Sequence, residues 1–189
     1  MPFHVCPWWL TYTFDNPIRK LVHNPSKIFS GLVRRGARVL DVGCGMGYFT
    51  IPLARMVGEQ GAVFAVDLQK EMLAAVRRRA ARAGVLSRVR MVQCKENSLG
   101  VSEKFDFASA FWMVHEVPDQ RQFLCELFSL MKPSGKFLLV EPKGHVNAAE
   151  FRETVRLATS VGFVQKGSVR VALSRSALLA RPADGDGRS

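Results

Sequence analysis

Short apolar runs alternate along the chain with stretches whose apolar residues recur at helical spacing. Val39-Leu40 with Val42 is the first run of the kind that makes a buried parallel strand. It turns through Gly43, Gly45 and Gly47 into an amphipathic stretch carrying Phe49, Ile51, Leu53, Ala54, Met56 and Val57. The alternation then repeats. AVFAVD at 62–67 predicts a second strand, 70–83 a helix ended by Gly84, and RVRMVQC at 88–94 a third strand. FDFASAFWMV at 105–114 predicts a fourth strand with its extension. Asp119 with Gln122 has the spacing of a capping box, opening a helix that runs to Met131 and stops at Lys132-Pro133-Ser134-Gly135. KFLLVEP at 136–142 predicts the fifth strand, and Asn147 with Glu150 a second capping box before a helix over 151–160 that Gly162 ends. Runs at about 163–171 and 176–181 predict two last strands, whose short link implies an antiparallel hairpin. Ahead of the first strand, the pattern predicts a short helix near 18–22 and another over 27–33, capped by Ser26 and ended at Arg34-Arg35-Gly36. Residues 1–17 mix aromatics and prolines without a clean period and read as an irregular or partly helical cover.

Strand alternating with helix is the pattern of a doubly wound α/β sheet, so the turn after the first strand is where chemistry is expected. Glycine there lets backbone approach a ligand and adopt positive φ without a Cβ clash. The spacing Gly43-Cys44-Gly45-Met46-Gly47 departs from the G-x-G-x-x-G nicotinamide fingerprint, and no Gly-Lys-Ser/Thr of a phosphate loop follows. An acid, Asp41, precedes the turn by two residues. A second acid, Asp67, ends the next strand, where doubly wound folds place a carboxylate that accepts from both ribose hydroxyls; a helix N-cap is its structural alternative.

The stretch Ala37–Thr50, ARVLDVGCGMGYFT, followed by the strand ending in Asp67, resembles motif I and its downstream acid in the class I S-adenosylmethionine (SAM) methyltransferases. The resemblance runs from about residue 26 to 181 and is nearest to the small-molecule enzymes grouped with ubiquinone-biosynthesis and arsenite methyltransferases. It implies a Rossmann-like α/β fold: a seven-stranded, mostly parallel sheet with helices on both faces and an antiparallel C-terminal hairpin. It also implies SAM as cofactor and S-adenosylhomocysteine as product. Residue by residue, it assigns cofactor contacts to Asp41, Gly43, Cys44, Gly45, Gly47, Asp67 and its neighbour Leu68. It assigns the adenine amino group to Asn97 or Glu96, in a loop that lacks the Asp of many relatives. Phe111 and Trp112 would flank the sulfonium, which aromatic faces suit, although packing in the core explains them as well. His115 is the first candidate for a general base, with Glu116 and His145 next; a histidine at a strand end also often bonds only backbone. Tyr12 and Phe14 would belong to a lid formed by residues 1–25 over a domain spanning 26–181, with packing on the sheet edge as the alternative, and PADGDGRS at 182–189 reads as a disordered tail.

Composition narrows the partners. With 189 residues, 48% apolar and 23% charged, the chain suits one globular domain. Its four cysteines stand singly, and His4 with Cys6 has no further partner, so neither disulfides nor a metal is expected and a reducing, cytoplasmic setting fits. The longest apolar run, 107–114, is too short to span a bilayer, and no signal peptide is expected. The formal net charge of +11 keeps a nucleic-acid acceptor, RNA or tRNA, open beside a small molecule. Against it, the chain lacks both the Asn/Asp-Pro-Pro-Tyr/Phe box of amino-group base methylases and a Pro-Cys pair. A SAM-binding protein without turnover is the third reading. An arsenite acceptor is disfavoured, because Cys44 belongs to the cofactor turn and the other cysteines show no convergence.

Overall fold

The computed structural model describes residues 23–185. A single helical turn, α1 (Pro25–Ile28), leads into strand β1 (Arg38–Val42). There follow α2 (Thr50–Val57), β2 (Ala62–Asp67), α3 (Lys70–Arg82), β3 (Val89–Gln93), β4 (Phe105–Phe111), α4 (Gln120–Leu130), β5 (Met131–Pro142), α5 (Ala148–Val161), β6 (Val164–Gly167) and β7 (Ser174–Ala180). The seven strands form one sheet in the order β3-β2-β1-β4-β5-β7-β6. β1 to β5 pair in parallel, while β7 lies antiparallel between β5 and β6. The expected Rossmann-like sheet with its C-terminal hairpin is therefore the observed one.

The sheet is covered on both faces, and strand alternation decides which side chain joins which layer. Val39, Phe107 and Leu138 pack with Leu53, Val57, Val76 and Ala80 from α2 and α3. Their neighbours Leu40, Ala108 and Leu139 pack on the opposite face with Leu124 and Leu127 from α4 and Ala158 from α5. Strands buried on both faces read as unbroken apolar runs, which is why the central ones are legible in the sequence. The strand order reverses between β1 and β4, and in an open α/β sheet such a switch point is where a crevice opens at the carboxyl ends of the strands.

Local departures from expectation have physical causes. Asn24, not Ser26, caps the first helix: its Oδ1 accepts the N–H groups of Ser26 and Lys27 at 3.0 and 3.3 Å, with Pro25 in the first turn. That helix ends at Ile28 rather than near 33, and Gly31 follows at φ 70°. Asp119 Oδ1 accepts the Gln122 N–H at 2.8 Å, but the Gln122 side chain does not close the box; it donates to the Asn97 carbonyl at 3.2 Å. Lys132 to Gly135 belong to β5, with a register shift opposite Phe105 and Phe107 and Ser134 at φ 61°. β6 stops at Gly167, four residues before the expected end. Asn147 and Glu150 do form a complete capping box. Among the described residues no helix is long and apolar enough to cross a membrane.

Candidate active site at the switch point

A cavity of about 580 Å³ opens at the carboxyl ends of β1, β2, β4 and β5. Asp41, Gly43, Cys44, Gly45, Asp67, Leu68, Glu96, Asn97, Phe111, Trp112 and His115 all line it, as do Glu116 and His145. Gly47 is not part of that lining. Tyr12, Phe14, His4 and Cys6 lie outside the described residues.

The glycines after β1 all have positive φ, and an added Cβ would meet a different surrounding at each. A Cβ on Gly43 would stand 2.8 Å from Cγ and 3.0 Å from Cβ of Met113, just past β4. A Cβ on Gly47 would meet Val76 Cγ2 of α3 at 3.2 Å, so this glycine serves helix packing. A Cβ on Gly45 would meet nothing within 4 Å, and Gly45 lines the cavity.

The two acids are held differently. Asp41 is 2% exposed, and its oxygens accept the hydroxyls of Thr50 at 2.6 Å and Ser109 at 3.1 Å. It ties the start of α2 and strand β4 to β1. Asp67 accepts the Gly45 N–H at 2.9 Å on one oxygen and the Gln69 N–H at 3.0 Å on the other, which clamps the glycine turn to the end of β2. Burial pushes the Asp67 carboxyl up from the ordinary range, opposed by the N–H groups of Gln69, Gly45 and Leu68. A carboxylate offers about four acceptor positions, so these N–H groups do not fill them all.

The loop after β3 is fastened to α4. Glu126 accepts from the Ser98 hydroxyl at 3.0 Å and the Leu99 N–H at 2.9 Å, and Gln122 holds the Asn97 carbonyl. Glu96 and Asn97 are left with exposed side chains at the cavity.

At the end of β4 the chain is strained. Trp112 has φ 62°, an outlier for a bulky residue that costs on the order of 1–3 kcal/mol. Two bonds hold it there: its N–H donates to the Val140 carbonyl at 2.8 Å and its indole N–H to Ser174 Oγ at 2.9 Å. Phe111, by contrast, packs into the core with its ring centroid 4.3 Å from that of Phe49. The strained turn delivers His115 to Glu141, which is 1% exposed on β5. One Glu141 oxygen accepts the His115 backbone N–H at 3.0 Å, and the other lies 2.6 Å from His115 Nδ1. Glu116 approaches His115 Nε2 at 4.0 Å, and the His145 ring centroid lies 5.9 Å away. Burial lowers the imidazole pKa, but the hydrogen bond and charge of Glu141, with the charge of Glu116, outweigh it, so the pKa stands above the ordinary value.

Comparison with known proteins agrees with this architecture. The family described as a methyltransferase domain matches residues 34–169. The ubiquinone/menaquinone biosynthesis C-methyltransferase UbiE of Yersinia pestis is 34% identical over 110 residues, which is 58% of this chain and 44% of that protein. The chain thus spans less than half the length of the curated relatives it matches. A SAM-dependent methyltransferase from Aquifex aeolicus superposes with TM-score 0.83 at 25% identity, covering 93% of this chain and 98% of that one. The TehB-like methyltransferase of Corynebacterium glutamicum shares the fold, with TM-score 0.70 at 17% identity over 92% of this chain and 94% of its own. This chain belongs to the class I SAM-dependent methyltransferases.

The residues lining the cavity fit SAM: a carboxylate with an unfilled acceptor position, a glycine whose Cβ position has no atom within 4 Å, and aromatic side chains. Several residues that shape it carry no motif. Met113 and Glu126 depend on tertiary neighbours. Glu141 left one signal, an acid inside the apolar run LLVEP, where a charge needs a partner. The cysteines also differ from expectation, since Cys94 joins Cys44 at the cavity. Burial, with the charge of Asp67, pushes the Cys94 thiol up to about 11; burial, Asp67 and Asp41 push Cys44 well above its ordinary value. Both are neutral thiols at pH 7, not ready nucleophiles or ligands. Among the described residues no cluster of three or more His, Cys, Asp or Glu forms a metal site.

Proposed function

We propose that this enzyme transfers the methyl group of SAM to a small-molecule acceptor, and that His115 takes the proton of the acceptor hydroxyl. One observation carries the reading: the cofactor-type elements, Gly45 and Asp67, line one cavity with His115, whose Nδ1 is bonded to the buried Glu141 behind it. In this reading Asp67 accepts the ribose hydroxyls, Asn97 or Glu96 the adenine amino group, and the Gly43–Gly45 turn with Leu68 completes the cradle. Phe111 and Trp112 stand on the acceptor side. SAM, when bound, supplies an electrophilic methyl carbon on a sulfonium. The protein's own part is to position the acceptor, exclude water and accept a proton.

The name of the Yersinia relative, a C-methyltransferase of quinone biosynthesis, supports a small acceptor. The nucleic-acid reading rests on the net charge of +11 alone. A reducing, cytoplasmic setting goes with the free thiols of Cys44, Cys94 and Cys125. The test is calorimetric titration with SAM and S-adenosylhomocysteine on wild type and Asp67→Ala. Charge-assisted hydrogen bonds contribute about 1.5–3 kcal/mol each, so losing the carboxylate should weaken binding at least about tenfold. Wild-type protein that is folded yet binds neither compound would overturn the reading.

A further inference from the structure

We infer that Glu141 is a positioning residue that fixes His115 in the Nδ1–H tautomer, leaving Nε2 as the proton-accepting atom at the cavity. The inference rests on the reading of His115 given above and deepens it. The argument is one of donor and acceptor counting. Glu141 is 1% exposed and makes two bonds to one residue, the His115 backbone N–H at 3.0 Å and His115 Nδ1 at 2.6 Å. A backbone N–H can only donate, which orients the carboxylate and assigns one oxygen to it. The remaining oxygen of an ionised carboxylate is acceptor-only, so Nδ1 must carry the hydrogen between them. In the neutral imidazole the other nitrogen then has the lone pair. The backbone bond fixes the carboxylate between β5 and the short 3-10 turn Val114–Glu116, so the ring cannot exchange its nitrogens without breaking its own bond to Glu141.

The proton step balances without any further co-reactant. The acceptor's O–H bond breaks and an Nε2–H bond forms, the electron pair stays on the acceptor, and the imidazolium keeps its Nδ1–H on Glu141. Three titratable groups face the ring: Glu141 from β5, Glu116 from the same 3-10 turn at 4.0 Å, and His145 from the loop after β5 at 5.9 Å between centroids. The two carboxylates stabilise the imidazolium, in keeping with its raised pKa.

Glu141→Gln separates this role from mere packing. The arm facing the His115 N–H must stay an oxygen, so the amide NH2 faces Nδ1 and makes it an acceptor. The proton is thereby moved to Nε2. The measurement is imidazole 15N NMR of full-length wild type, Glu141→Gln and Glu141→Asp, titrated with pH and without acceptor. We expect Nδ1–H in wild type, Nε2–H with a lower titration midpoint in Glu141→Gln, and Nδ1–H restored in Glu141→Asp. SAM affinity, measured by calorimetry, should change less than about twofold between wild type and Glu141→Gln, since the perturbation spares Asp67 and the glycine turn. Wild type with neutral His115 protonated on Nε2 overturns the inference, and this reading needs no variant to fold. Unchanged tautomer in Glu141→Gln overturns it as well. Absent SAM binding with the expected tautomers would sink the functional reading and leave the positioning role standing.

Discussion

Replacing Gly43 by alanine tests why the turn after β1 must be glycine. Two terms act on the same substitution. Gly43 has φ 63°, and placing an L-residue in left-handed helical space costs roughly 1–2 kcal/mol. The new Cβ would also stand 2.8 Å from Met113 Cγ and 3.0 Å from Met113 Cβ. Met113 has to move, and overpacking of this kind costs about 1–3 kcal/mol. The expected loss for Gly43→Ala is therefore about 2–5 kcal/mol, read by urea unfolding followed by circular dichroism. Met113→Ala removes the Cγ but keeps the Cβ contact. In that background the same glycine substitution should cost less, by the part of the overpacking term that the Cγ contact supplies, while the conformational term of about 1–2 kcal/mol and the 3.0 Å Cβ contact remain. The difference is a coupling energy of up to about 1–3 kcal/mol between residues far apart in sequence. An equal cost in both backgrounds would refute the clash and return Gly43 to a purely local or ligand-clearing role. Because Met113 lies between Trp112 and the 3-10 turn carrying His115, Gly43→Ala should also disturb the acceptor side of the cavity.

Gly45→Ala should behave in the opposite way: its Cβ meets nothing within 4 Å, so the stability loss should stay near the conformational 1–2 kcal/mol or so. If the Cβ stands on the side where the cofactor approaches the backbone, calorimetry should show SAM affinity falling at least about tenfold; unchanged affinity would remove Gly45 from the cofactor cradle. The His115–Glu141 pair should leave a pH signature in stability. The folded-state pKa of His115 stands above the ordinary value, so its stabilisation is complete below the unfolded pKa of about 6.5 and is lost as pH rises through the folded value. Urea midpoints across that window should fall more steeply for wild type than for Glu141→Gln, and parallel slopes would deny the coupling.

Much of this molecule was legible along the chain. β1 and β2 were visible because strands buried on both faces are continuous apolar runs, and the glycine spacing with Asp41 and Asp67 identified the family's turn. The Asn147–Glu150 box was legible because both its bonds close within one helical turn. Its counterpart at Asp119 was only half legible: the Gln122 side chain had a tertiary competitor, the Asn97 carbonyl, and took it. Cys94 gave no sign of reaching the cavity, because a position one residue past a strand acquires its neighbours only when the sheet assembles.

The sequence alone determined the order of strands and helices, the place of the cofactor turn and the presence of a carboxylate at the end of β2. These depend on local periodicity, backbone conformational preference and spacing within one strand–helix–strand unit. Tertiary structure decided what the glycines are for and what His115 can do. Gly43 answers to Met113 because β1 and β4 lie side by side in parallel. His115 answers to Glu141, 26 positions away, because β4 and β5 are neighbours whose carboxyl ends meet at one cavity. Which nitrogen of an imidazole holds a proton is set by the group on its far side, and only the folded sheet brings that group there.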